Sequence, residues 1–194
     1  MLQAENLTCE RNRQVLFQEL SFTCGPGETL AINGANGAGK TTLLRILAGL
    51  YEDYEGDVDW QLEEYPMYVG HKSGVKDLLT PYENLSWAAE LYNCDITREE
   101  LEEALQAVAL RGNEDVNCGA LSQGQRKRVC LARLFLLDNP VWILDEPFSA
   151  IDTKGVEILE ARMLQHIDAG GLVIMASHQP VSFACSQIIN LGSS

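Results

Sequence analysis

Two short stretches carry residues whose types and spacing could do chemistry. The first, Gly34-Ala35-Asn36-Gly37-Ala38-Gly39-Lys40-Thr41-Thr42, fits the pattern G-x-x-x-x-G-K-[ST] at every required position. Its glycines let the backbone turn tightly enough to aim several N–H groups into one concavity. A helix opening at Lys40 would add its unpaired N–H groups and positive dipole end. Such a concavity suits a polyanion. Asn36, Gly37, Gly39, Lys40, Thr41 and Thr42 are the candidate binding residues. Lys40 would reach the terminal phosphates as a point charge, and the Thr41 hydroxyl is placed to ligate an accompanying Mg²⁺. The alternative, a glycine-rich turn that merely opens an ordinary helix, leaves the full pattern in its strand-turn-helix setting unexplained. The second stretch is Asp145-Glu146, directly after the apolar run Val141-Trp142-Ile143-Leu144. Carboxylates at the C-terminal end of a parallel strand lie where ligands of such sheets bind. Asp145 can hold Mg²⁺, and Glu146 can polarise the water that attacks a γ-phosphate. An acid pair at an exposed strand end or helix start is the alternative.

The elements that must position these residues follow from periodicity. Residues 2–9 and 15–24 read as two antiparallel strands separated by a polar stretch, and Gly25-Pro26-Gly27-Glu28 as a turn into the apolar strand before the glycine-rich loop. After that loop's helix, closed by Gly49, residues 58–60 and 65–69 read as short strands across an acidic turn. Three helix starts come next. Thr80-Pro81-Tyr82-Glu83 and Thr97-Arg98-Glu99-Glu100 have the form of capping boxes, and Ser122-Gln123-Gly124-Gln125 opens a helix to about Leu137. That last terminus, with a hydroxyl and free N–H groups, is a second potential anion site. Beyond Pro140 the α/β rhythm resumes. Strand 141–144, a helix over about 154–168 burying Val156, Leu159, Met163 and Ile167, strand 172–176 and strand 187–191 follow in turn. The expectation is one α/β domain over residues 2–191, with a mostly parallel sheet, an N-terminal antiparallel subdomain and a helical insert over about 73–137.

Composition bounds the function. The chain has 194 residues, room for one sizeable core. Its formal net charge of −14, from 28 acids against 14 Lys and Arg, disfavours non-specific binding to nucleic acid or anionic lipid. The six cysteines show no C-x-x-C pair, and they read as small core residues in a reducing cytosol. No basic-then-apolar leader or run of about 20 apolar residues is present, so any membrane contact is expected through partners only.

A family resemblance rests on four strings in order. Leu121-Ser122-Gln123-Gly124-Gln125 resembles the L-S-x-G-Q signature of ATP-binding cassette (ABC) ATPases. Asp145-Glu146-Pro147 resembles that family's Walker B end, Ser149-Ala150-Ile151-Asp152 its D-loop, and His178 its switch histidine. The resemblance implies a P-loop NTPase fold of the ABC type, ATPase activity with ATP and Mg²⁺, and a head-to-tail homodimer. Each ATP would lie between one subunit's phosphate loop and the signature residues Ser122, Gly124 and Gln125 of the other. It further implies that Glu146, His178 and Lys40 are catalytic, and that Mg²⁺ is held by Thr41 and Asp145, with His71 a third candidate at the position of the usual Q-loop glutamine. Arg11 stands where an aromatic usually stacks on the base. Gly70-His71, Leu131-Ala132-Arg133-Leu134 and Trp142 to Phe148 resemble, within that family, the ATP-binding subunits of bacterial haem exporters for cytochrome c maturation. That implies integral membrane permease partners and a peripheral place on the cytoplasmic side of the inner membrane. Residues 71–94 would couple to those partners, with Leu78, Leu79, Tyr82, Leu85 and Trp87 either lining a groove or forming the insert's own core. An exporter ATPase for lipid or lipoprotein, or a soluble ABC ATPase of DNA repair or translation, are the alternatives.

Overall fold

Alternating apolar and polar residues near the N-terminus build a strand pair with one covered face. In the computed structural model, which describes residues 1–62 and 65–192, these are β1 (Leu2–Arg11) and β2 (Gln14–Cys24), paired antiparallel. Their joint is a two-residue turn in which Asn12 and Arg13 both have positive φ (53° and 63°), the backbone that matches strand twist in tight hairpins. The polar connection is therefore shorter than expected, and Arg11 lies in β1 opposite Gln14. The register of the pair shifts between Ala4 and Leu7 and again between Leu7 and Cys9. Near these bulges the Asn6 and Glu19 N–H groups donate to Ser21 Oγ (2.8 Å) and Thr8 Oγ1 (3.0 Å), so neither donor is orphaned.

The apolar run before the glycine-rich loop is β3 (Thr29–Asn33), and the loop delivers the chain into α1 (Lys40–Leu47). That helix ends as Gly49 and Leu50 N–H groups bond the Ile46 and Arg45 carbonyls at 2.9 and 2.7 Å. β4 (Glu55–Trp60) then pairs antiparallel with β1, giving the sheet order β2-β1-β4. The next strand, β5 (Met67–Val69), joins a different sheet. The two short strands expected across the acidic turn thus do not pair with each other, and Glu63 and Glu64 of that turn lie outside the described residues.

Three helices follow, α2 (Pro81–Leu91), α3 (Arg98–Ala107) and α4 (Gln123–Leu136), each started by a complete capping box from Thr80, Thr97 and Ser122. The chain closes with β6 (Val141–Asp145), α5 (Thr153–Asp168), β7 (Leu172–Ala176) and β8 (Gln187–Asn190). Every residue of β6 and β7 is buried, as strands covered on both faces require. They form the middle of a five-stranded sheet, β5-β6-β7-β3-β8, whose β6/β7, β7/β3 and β3/β8 pairs are parallel.

The chain divides into two compact units. One comprises Met1–Tyr68, Asn139–Pro147 and Met163–Ser194. In its core Leu43, Leu44 and Leu47 of α1 meet Leu30, Ile32, Ile143 and Ile174 of the parallel sheet and Leu2 and Leu7 of β1. The other comprises Val69–Asp138 and Phe148–Arg162, with a core of Leu85, Leu101, Leu105, Val129 and Ala132 from α2, α3 and α4. Leu85 is in that core and Tyr82 packs on it, while Leu78 and Trp87 are 88% and 41% exposed. On α5 Leu159 and Met163 are buried as expected, whereas Val156 and Ile167 are only half-buried and Glu160 and His166 are buried in addition. The buried His166 ring stacks on Trp142 of β6, 3.7 Å between centroids and 4° from parallel.

Candidate functional site

The glycine-rich loop forces an unusual helix start. Gly39 is the residue before α1, with φ +100°, and it offers no side-chain bond to the helix's first N–H groups. A Cβ there would lie 2.9 Å from Leu16 Cβ, so both the backbone angle and the close approach demand glycine. The first N–H groups of a helix have no intrahelical acceptor, and here no side chain takes that role. What remains is a set of donors at a positive dipole end, suited to an anion. Asn36 and Gly37 are exposed at the tip of the loop, whereas Thr42 is buried.

Lys40 is buried, 8% exposed, and donates through Nζ to the Gly34 and Ala35 carbonyls at 2.7 and 3.2 Å. Lys40 Nζ also lies 3.5 Å from His178 Nε2. Thr41 Oγ1 donates to both carboxylate oxygens of Asp145, at 2.9 and 3.2 Å, which brings together the two residues assigned to Mg²⁺. Asp145 ends β6 and is 2% exposed. Glu146 follows with φ +49°, its N–H held by the Ala176 carbonyl at 2.9 Å. Its carboxylate accepts the His178 backbone N–H at 3.3 Å and stands 3.5 Å from His178 Nε2. One imidazole nitrogen thus sits 3.5 Å from both the Lys40 ammonium and the Glu146 carboxylate.

Tyr68 was absent from the residues singled out by pattern, yet it belongs here. Burial first, and the Asp145 carboxylate second, push its phenol up to about 12, so it stays a protonated neighbour of Asp145. The signal was alternation. Met67 and Val69 of β5 are buried and Tyr68 faces the other way.

Lys40, Thr41, Asp145, Glu146 and His178 therefore converge within one unit. Asn36, Gly37, Gly39 and Thr42 belong to the same unit, whereas His71, Ser122, Gly124 and Gln125 belong to the other. There Ser122 Oγ accepts the Gln125 N–H at 3.2 Å and Gln125 Oε1 accepts the Ser122 N–H at 2.9 Å. His71 is exposed in the loop after β5. Among the described residues no group of three or more His, Cys, Asp or Glu side chains could hold a metal ion, so a cation at Thr41 and Asp145 would need further oxygens from its ligand. All six cysteines are free thiols.

A sequence profile described as ABC transporter matches residues 17–149. A cytochrome c biogenesis ATP-binding export protein CcmA of Pseudomonas putida is 46% identical over 187 residues, covering 91% of this chain and 89% of that protein. The protein of the same name from Haemophilus influenzae is 45% identical and covers 99% of this chain and 95% of its own. Among solved structures, a putative ABC transporter ATP-binding protein from Pyrococcus furiosus superposes with a TM-score of 0.85 at 26% identity, over 98% of this chain and 96% of that one. A dimeric ATP-binding cassette in a post-hydrolysis state with ADP and Pi shares the fold, with a TM-score of 0.80 at 23% identity over 92% and 88% of the two chains.

Proposed function

The chain belongs to the ABC transporter family, and from that premise we propose that it is the ATP-hydrolysing subunit of a haem-export complex serving cytochrome c maturation. The observation that carries the enzymatic part is the placing of His178 Nε2 between Lys40 and Glu146, beside the bonded pair Thr41 and Asp145. The resemblance to export proteins of cytochrome c biogenesis supports the pathway.

In this reading the N–H groups at the start of α1 and the Lys40 ammonium bind the β- and γ-phosphates of ATP. The donor chemistry around Thr41 and Asp145 fits Mg²⁺, a hard cation that takes hydroxyl and carboxylate oxygens and neutralises charge on the phosphates. Glu146 is the general base for the attacking water, an effect worth about 10²- to 10⁴-fold in rate. His178 holds the Glu146 carboxylate through its N–H, and its Nε2 is turned to the place where the γ-phosphate charge develops. Arg11, exposed near the tip of the first hairpin, offers a guanidinium plane for the base. The site is half of a whole. A second copy, arranged head to tail, contributes Ser122, Gly124 and Gln125 to the γ-phosphate, and hydrolysis removes the charge that holds the copies together.

No helix among the described residues is long and apolar enough to cross a membrane. In the haem-export reading, permease subunits would hold the protein on the cytoplasmic face of the inner membrane. Among the described residues of the helical unit, the exposed Leu78, Trp87, Leu91 and Val116 are the large apolar side chains available to them. A strain lacking this chain is expected to lose covalent haem from its c-type cytochromes, scored by haem staining. Normal attachment in that strain would remove the pathway assignment and leave the ATPase reading standing.

A further inference from the structure

Arg126, Lys127 and Arg128 follow one another in the first turns of α4, and successive helical residues point about 100° apart. Each consequently reaches a different segment of its unit. Arg126 Nη1 meets Asp77 Oδ1 at 3.3 Å, Lys127 Nζ donates to the Gly70 carbonyl at 3.5 Å, and Arg128 Nη2 meets Asp152 Oδ1 at 2.9 Å. The last contact ties the signature helix to Ser149-Ala150-Ile151-Asp152, a loop to which the proposed function gives no role.

The tie is double. Where α4 begins, the Ala150 carbonyl comes so near Gly124 that an added Cβ would sit 2.7 Å from its oxygen. One turn later Arg128 grips Asp152, whose Oδ1 also accepts the Gly155 N–H at 3.0 Å at the start of α5. The Gly155 N–H first, and the Arg128 charge after it, hold the Asp152 carboxyl below the usual carboxylate range, so it is ionised whenever the protein works near neutrality. The Asp152 side chain is 63% exposed and Arg128 22%, and exposed pairs of this kind add little to fold stability. Their effect is on orientation.

We propose that Arg128 is a positioning residue. By pairing with Asp152 while Gly124 admits the Ala150 carbonyl, it joins the Ser122–Gln125 turn and the 149–152 loop into one piece. The turn then seats on the nucleotide of a second copy only with that loop in place. This rests on the head-to-tail reading of the dimer.

The test follows ATP-dependent dimerisation of the full chain by sedimentation velocity, in a Glu146→Gln background that retains ATP. Arg128→Ala and Asp152→Asn are compared singly and together, because Asn keeps the oxygen that caps α5 and drops the charge. Each single change is expected to raise the ATP concentration for half-dimerisation roughly three- to tenfold, with the double no worse than the worse single, as coupled neighbours behave. Binding of a fluorescent ATP analogue to the dilute monomer, and the unfolding temperature without nucleotide, should stay unchanged. Undisturbed dimerisation in Arg128→Ala, additive single effects, or a matching fall in unfolding temperature would overturn the proposal. A Glu146→Gln parent that stays monomeric with ATP would overturn the head-to-tail reading, and this inference with it.

Discussion

The two helix N-termini to which phosphate contacts are proposed in this protein are built in opposite ways. α1 begins at Gly39, with a backbone only glycine adopts freely and no side-chain cap. α4 begins at Ser122 with a full capping box, its hydroxyl and the Gln125 amide each occupied by the other's N–H. The first terminus is left in need of an anion. The second has two of its donors, the Ser122 and Gln125 N–H groups, already taken by its own cap, and a ligand must make do with the others or compete with that cap. A helix terminus is worth about 0.3 to 2 kcal/mol to a bound charge, and a partly capped one is expected to contribute less of it than an uncapped one. That difference suits a loop that holds nucleotide throughout a cycle and a signature turn that engages only while the γ-phosphate is present.

The largest expected effect falls on chemistry and tests whether it belongs to the first terminus alone. Glu146→Gln should lower turnover about 10²- to 10⁴-fold in a phosphate-release assay while ATP binding persists. Normal turnover would remove Glu146 from its role. Next comes affinity. Lys40→Ala deletes a charged donor, and titration calorimetry on the monomer should read a loss of about 1.5 to 3 kcal/mol. The Ser122→Ala monomer should bind as before, and equal losses in the two variants would erase the contrast between the termini. Gly39→Ala combines a left-handed backbone, costing about 1 to 2 kcal/mol, with the contact at Leu16, and should lower the unfolding temperature as well as weaken nucleotide binding. The smallest effect is Ser122→Ala on stability, about 1 kcal/mol for a lost cap, read as a shift in chemical denaturation.

The same contrast explains what could be read from sequence. Caps are local, so Thr80, Thr97, Ser122 and the glycine-lysine loop announced their helices within a residue or two. The fully buried β6 and β7 were legible from unbroken apolar runs. Partners distant in sequence were not. Nothing local assigns β4 to the sheet of β1 and β5 to the parallel sheet, because short strands carry no label for their neighbours. The tight turn at Asn12-Arg13 lacks the glycine that usually marks such hairpins. His166 enters the core by stacking on Trp142, which a count of apolar spacing cannot foresee. In the site, the motif residues Thr41 and Asp145, 104 positions apart, are hydrogen-bonded to each other. Tyr68 and the Arg128–Asp152 pair emerged only when the chain was folded.

The central claim is that the loop at α1 is half a catalytic site, completed by the turn at α4 of another copy. Mixing two inactive variants tests it most directly. Lys40→Ala has an intact signature turn and no working loop, and Ser122→Arg has the reverse. Each alone should fail to hydrolyse ATP, and an equimolar mixture should recover phosphate release, because the mixed dimer contains one complete site. Hydrolysis by Ser122→Arg alone, or a mixture as silent as its components, would contradict the account.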